Sequence, residues 1–228
     1  MRTALVVFDI AGTTVADKDH VNQAFRTALA EAHIQVPIDE VNTLMGYRKI
    51  EAITRMVVKH APQVTGSDQV ELVNRIHDRF NHIMVDFYRT DADLEPLPFA
   101  EELFALLQEK GIKVALNTGF TRVITDTILQ RLGWDKAAYI NKVICSDEVP
   151  EGRPQPYMIR SLMQQLGIKD AAEVVKVGDT EVDVNEGRNA GCGKVVSVTT
   201  GAYTREQLTA YQPDAIIDSL QELPALIL

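Results

Sequence analysis

A chain of 228 residues, 46% hydrophobic and 24% charged, has room for one large domain or a core with a smaller insert, and its composition excludes disorder. A formal net charge of -9 excludes a large nucleic-acid footprint, which needs a basic face. The opening apolar run, Ala4 to Phe8, is too short for a leader core or a bilayer span, so we expect a cytoplasmic protein with no membrane partner.

The first predicted strand runs from Ala4 to Asp9 and delivers a carboxylate to its end, followed by Ile10, Ala11, Gly12, Thr13 and Thr14. An aspartate there can attack phosphorus and form an acyl-phosphate, or it can merely cap the following turn. From about Val15 to Glu95 the pattern is helical throughout. Helices are predicted around Val21 to Ala32, Asp39 to Leu44, Ile50 to His60 and Val70 to Tyr88, with Glu95-Pro96-Leu97-Pro98 as the return linker. Ile50, Ile53 and Val57 recur at helical spacing and are expected to face the core of this small bundle. The segment Met45-Gly46-Tyr47-Arg48-Lys49 opens the third helix and places a lysine beside a glycine turn. Such a lysine either lies solvated on the helix surface or, with a lowered pKa, forms an imine with a carbonyl.

Strands alternating with helices then follow: Lys113 to Thr118, Val143 to Ser146, Val174 to Asp179, Lys194 to Thr199 and Ala215 to Ile217. Ala100 to Lys110 reads as a helix, with Leu103, Phe104 and Leu107 on one side and Gly111 as its stop. The expected fold is α/β, a Rossmann-like parallel sheet core covered on both faces, with an inserted α-helical cap domain. Residues 1-14 and 96-228 would form the core and residues 15-95 the cap. Reactive groups in such sheets gather beyond the carboxyl ends of the strands. Asp9, Asn117-Thr118-Gly119 and Asp179 fall there. Asp9 and Asp179 could supply the carboxylates that a magnesium ion prefers, and Asp183, four residues on, could orient a ligand or a metal-bound water. Glu181 is expected to favour the helix N-terminus. Thr118 and Gly119 could hold phosphoryl oxygens. Arg153, in Gly152-Arg153-Pro154-Gln155-Pro156, is either a surface residue or a cation that offsets carboxylate and phosphoryl charge. Cys145 and Cys192 stand in no metal-binding or redox spacing.

These four segments, in this order, resemble the four motifs of the haloacid dehalogenase superfamily, and the likeness covers essentially the whole chain. The resemblance implies Asp9 as nucleophile, Thr118 as the phosphoryl-binding hydroxyl, and Arg153 as the catalytic cation. It further implies Mg2+ held by Asp9, the Ala11 carbonyl and Asp179, with Asp183 behind them, and substrate contacts from Gly12, Thr13 and Gly119. Most phosphatases of the superfamily carry a second aspartate two residues after the nucleophile, and here that residue is Ala11. An alanine transfers no proton, which forfeits the about 10²- to 10⁴-fold usual for general acid–base help. Asp-x-Ala-Gly-Thr-Thr, Met-Gly-x-x-Lys and Gly-Arg-Pro-x-Pro resemble the phosphonatase branch, the phosphonoacetaldehyde hydrolases. That likeness implies Lys49 as the imine-forming catalytic residue, with Met45 and Gly46 lining the cap side. The branch has a histidine three residues after its lysine and a tyrosine after its Thr-Gly pair, whereas this chain has Ala52 and Phe120. The expected substrate is a small phosphonate, or else a phosphate ester of phosphoglycolate type with Lys49 as an anion contact. A third reading is a binding protein that has lost turnover. A homodimer through the cap is a further implication of the resemblance.

Overall fold

The computed structural model describes residues 2–228. Six strands form one parallel sheet: β1 (Leu5–Phe8), β2 (Lys113–Thr118), β3 (Lys142–Cys145), β4 (Val174–Gly178), β5 (Lys194–Val198) and β6 (Ala215–Ile217), in the order β3-β2-β1-β4-β5-β6. All four residues of β1 are fully buried, as a central parallel strand covered on both faces must be. The strand order reverses between β1 and β4, and a crevice opens at such a switch point, beyond the carboxyl ends. Asp9 follows β1 directly, Asp179 follows β4, and Thr118 ends β2. The Rossmann-like α/β core expected from the sequence is therefore the observed one.

Ten helices cover the sheet and build a separate layer. The layer consists of α1 (His20–Glu31), α2 (Ile38–Asn42), α3 (Lys49–His60) and α4 (Gly66–Thr90). The others are α5 (Ala100–Glu109), α6 (Arg122–Leu132), α7 (Tyr157–Leu166), α8 (Glu181–Ala190), α9 (Arg205–Ala210) and α10 (Leu223–Ile227). Chain exit and return to the helical layer lie side by side: Val15 bridges both Ala11 and Pro96, and Leu97 N–H donates to the Thr14 carbonyl at 2.8 Å. Phe25 of α1 stacks on Phe80 of α4 with centroids 4.4 Å apart, a contact of about 0.5–1.5 kcal/mol beyond its buried area. A continuous apolar cluster then runs from α1, α3 and α4 through Phe120 and α6 to β1 and β2. A second cluster, with Leu5, Val7, Met158 and Leu162, covers the opposite face of the sheet.

The helices foreseen from Val21 to Ala32 and from Asp39 to Leu44 run from His20 to Glu31 and from Ile38 to Asn42, and two others differ in ways that bear on the site. The helix foreseen from Val70 to Tyr88 extends from Gly66 to Thr90, because nothing after Thr65 breaks it and Asp68 suits its N-terminal dipole. The helix foreseen from Ile50 begins at Lys49, and its buried stripe is Lys49, Ala52, Ile53, Met56 and Val57. Ile50 is only half-buried, so the side of α3 that faces inward is centred one residue earlier than the apolar spacing suggested. Among the described residues no helix is long and apolar enough to cross a membrane.

Candidate active site

The turn after β1 is tied down by hydrogen bonds before any ligand arrives. Asp9 N–H donates to the Val177 carbonyl of β4 at 2.9 Å, and the Thr14 hydroxyl donates to the Asp9 carbonyl at 3.0 Å. Gly12 has φ of 83°, and a Cβ there would come within 2.7 Å of Asp179 Oδ2. This close approach brings the two acidic strand ends together. Asp179 is held from both sides: Thr13 Oγ1 donates to Oδ1 at 3.3 Å and Ala202 N–H donates to Oδ2 at 2.7 Å.

Beneath Asp9 lies a buried layer of charge. Arg153 is fully buried. Its Nη2 donates to Asp9 Oδ1 at 2.6 Å and to the Asn117 carbonyl at 2.9 Å, while Nη1 donates to Asp183 Oδ1 at 2.7 Å. Lys176, also fully buried, donates to Asn117 Oδ1 at 2.7 Å and pairs with Asp183 at 2.9 Å. Asn117 Nδ2 donates to both carboxylate oxygens of Glu186, at 2.9 and 2.8 Å. Asp183 also accepts the Thr180 hydroxyl at 2.6 Å, capping α8. Burial works against its charge, but Arg153 and Lys176 prevail and hold its carboxyl below the usual range. Burial pushes Asp9 upward, against the opposing charge of Arg153. Asp179 is raised further, by burial and then by the charge of Asp9.

The helical layer brings its own groups to this floor. Gly119 packs so closely on the loop before α3 that a Cβ would lie 2.5 Å from the Tyr47 carbonyl and 2.7 Å from that of Gly46. Tyr47 donates its hydroxyl to Glu181 at 2.7 Å, and Arg48 donates to the Pro150 carbonyl at 3.0 Å, so this loop is clasped to the core. Glu181 thus has a cross-layer partner in addition to its place in the first turn of α8. Lys49 is 4% exposed. Its Nζ stands 5.4 Å from the Phe25 centroid and 5.1 Å from that of Phe120, and among the described residues it makes no hydrogen bond or ion pair. Burial lowers its pKa to about 8, opposed mainly by the charge of Asp9.

The cavity between these layers is small, about 30 Å³. Asp9, Ala11, Met45, Gly46, Lys49, Thr118, Gly119 and Asp179, all singled out in the sequence, line it. Four others stand behind the lining. Gly12 and Thr13 shape and hold Asp179, whereas Arg153 and Asp183 form the charged layer under Asp9. Asp17 and Thr180 also line the cavity, and sequence reasoning missed them. Asp17 belongs to no motif, and its one signal is its place in the linker from core to cap. Phe120, where the phosphonatase branch has a tyrosine, is in the lining too, while Ala52 lies buried on α3.

Asp9, Asp179 and the Ala11 carbonyl offer oxygen donors of the kind a hard cation prefers, and the upward shift of both carboxylates marks a place where positive charge is wanted. Among the described residues no group of three or more His, Cys, Asp or Glu forms a closed cage. The donor set therefore fits magnesium, which keeps waters and phosphoryl oxygens in its shell.

The model of the haloacid dehalogenase-like hydrolase family matches residues 6–198. A phosphonoacetaldehyde hydrolase of Bacillus cereus is 29% identical over 228 residues, covering 97% of this chain and 84% of the relative. Among solved structures, a phosphonoacetaldehyde hydrolase-like protein from Oleispira antarctica superposes with TM-score 0.84 at 22% identity, over 100% of this chain and 92% of that one. A predicted phosphoglycolate phosphatase from Haemophilus somnus superposes with TM-score 0.81 at 21% identity, over 100% and 99%. These last two likenesses concern the fold.

Proposed function

This chain belongs to the haloacid dehalogenase-like hydrolase family, and from that premise we propose that it is a phosphonatase-like enzyme cleaving a P–C bond. The substrate is a small phosphonate carrying an aldehyde or related carbonyl. One observation carries the reading: Lys49 is buried at the cavity shared with Asp9, with its pKa lowered to about 8 and, among the described residues, no ion-pair partner. A lysine held so is partly unprotonated near neutral pH and nucleophilic. Where most phosphatases of this family carry an acid, Ala11 offers none, so the leaving group must be stabilised otherwise.

In this mechanism the Lys49 ammonium gives up a proton, its amine adds to the carbonyl carbon, and return of that proton lets water depart and leaves a protonated imine. An Asp9 carboxylate oxygen then bonds to phosphorus. The electron pair of the breaking C–P bond moves onto carbon and is taken up by the imine as an enamine. Water hydrolyses the resulting Asp9 acyl-phosphate to inorganic phosphate, and a second water releases the aldehyde product from Lys49. Thr118 and the backbone at Gly119 bind phosphoryl oxygens, while Arg153 holds Asp9 in one orientation from below. Asp9, the Ala11 carbonyl and Asp179 would hold Mg2+, which would offset charge between the carboxylates and the phosphoryl oxygens. Residues 15–95 act as the cap, pivoting at the paired Val15 and Pro96 linkers and excluding water while it is closed.

Reduction by borohydride in the presence of phosphonoacetaldehyde tests the imine. The expected product is the enzyme with one reduced adduct, located on the peptide containing Lys49; a Lys49-independent adduct or none at all contradicts the reading. The second reading, a phosphomonoesterase of phosphoglycolate type, is favoured by Phe120 and Ala52, which leave neither a hydroxyl nor an imidazole at those two positions.

A further inference from the structure

Imine formation moves protons, and the two groups that would move them by resemblance are an alanine and a phenylalanine in this chain. The cavity nevertheless holds one titratable side chain not yet given a role. Asp17 lies in the linker between β1 and α1, half-buried, and lines the same cavity as Lys49 and Asp9. Its Oδ1 accepts the N–H groups of His20 at 3.0 Å and Val21 at 3.5 Å, which closes the first turn of α1. Among the described residues no donor meets Oδ2. A carboxylate whose only duty was to cap α1 would need no place on the cavity wall.

A second residue points the same way. Tyr88, near the end of α4, is buried, and among the described residues its hydroxyl makes no hydrogen bond. Its ring meets the edge of Phe120, at 6.0 Å between centroids, and Phe120 in turn lies 5.1 Å from Lys49 Nζ. Burial raises the Tyr88 phenol well above its usual range, with the charge of Asp17 the next largest cause. Asp17 and Lys49 therefore share the cavity wall with Phe120, and Tyr88 stands behind Phe120.

We propose that Asp17 is a catalytic residue, the proton carrier for Lys49. This rests on the imine reading above. Asp17 takes one proton from the Lys49 ammonium, leaving a neutral amine. The amine nitrogen bonds to the carbonyl carbon, and as the carbonyl oxygen becomes a hydroxyl the nitrogen loses a proton to it. Protonated Asp17 then returns its proton to that hydroxyl, which leaves as water while nitrogen and carbon form the protonated imine. Asp17 ends as it began, so no external acid or base is consumed. Burial raises the carboxyl of Asp17 above its ordinary value, which brings it nearer to the lysine it serves. The charged and titratable groups around it are His20 on α1, Lys49 on α3, Tyr88 on α4, and Asp9 and Asp179 across the cavity.

The test is the rate of borohydride trapping with phosphonoacetaldehyde across pH, in the wild type, Asp17→Asn, Asp17→Glu and Tyr88→Phe. Asparagine caps a helix as well as aspartate does, so Asp17→Asn keeps the α1 contacts while losing the titrating group. It should melt with the wild type yet trap Lys49 about 10²-fold more slowly, without the acid limb of the wild-type profile. Asp17→Glu should restore that limb, and Tyr88→Phe should shift it. Trapping by Asp17→Asn at the wild-type rate with an unchanged limb overturns the assignment of Asp17 and leaves the imine intact. Absence of any adduct in the wild type overturns the imine and this inference together.

Discussion

The Arg153 guanidinium lies fully buried under Asp9 and donates to its Oδ1 at 2.6 Å, while its other terminal nitrogen holds Asp183 at 2.7 Å. One cation thus orients Asp9, the proposed nucleophile, and neutralises the layer below it. Arg153→Ala would leave Asp9 without its cation and leave Asp183 and Glu186 to share Lys176 alone. Breaking a buried pair this way costs about 3–5 kcal/mol, which urea denaturation of the variant will read. The loss should shrink as pH falls and the stranded carboxylates take up protons.

Lys49 gives the opposite sign. Its folded-state pKa of about 8 lies below its ordinary 10.5, so the folded chain binds that proton less readily than the unfolded chain. The resulting penalty is full below pH 8 and is relieved as pH rises from about 8 towards 10.5. Lys49→Met should therefore stabilise the protein at pH 7, by roughly 3 kcal/mol at 1.36 kcal/mol per pH unit. Thermal melts at pH 7 and pH 10 check this, and the advantage should narrow at the higher pH.

Gly119 admits the loop that carries Lys49. A methyl group there would press on the Tyr47 and Gly46 carbonyls, backbone atoms that cannot swing aside. Gly119→Ala should lift the loop, and a misplacement of about 1 Å costs on the order of 10²-fold in rate. Phosphate-release kinetics should show this fall while the melting temperature changes little, since the proposed cap can open to relieve the strain.

Ala11 lines the cavity two residues after Asp9. Ala11→Asp would restore an acid at that position. Turnover of phosphoglycolate should then rise about 10²-fold, the lower end of what general acid–base catalysis supplies. An unchanged rate would mean that proton transfer is not what limits ester cleavage.

The six strands were legible to within a residue or two, because each is a short β-branched run ending in glycine or a polar residue. The floor of the site was legible for the same reason: a parallel sheet brings its strand ends together, so Asp9, Thr118 and Asp179 had to meet. The depth of Arg153 was not. An arginine between a glycine and a proline reads equally well as surface, and only the convergence of Asp9, Asp183 and Glu186 draws it inside. Lys49 shifted the buried stripe of α3 because Phe25 and Phe120 shelter its ammonium, a contact between residues distant in sequence. Asp17 and Tyr88 left no pattern, since they are 71 positions apart in the numbering and belong to no motif.

The most direct measurement is phosphate release, with magnesium present, from phosphonoacetaldehyde and phosphoglycolate in parallel, by the wild type and Lys49→Ala. The account predicts turnover selective for the aldehyde and lost in the variant. Ester turnover that survives in Lys49→Ala would contradict it, leaving a phosphatase that works without an acid at position 11 and makes no imine.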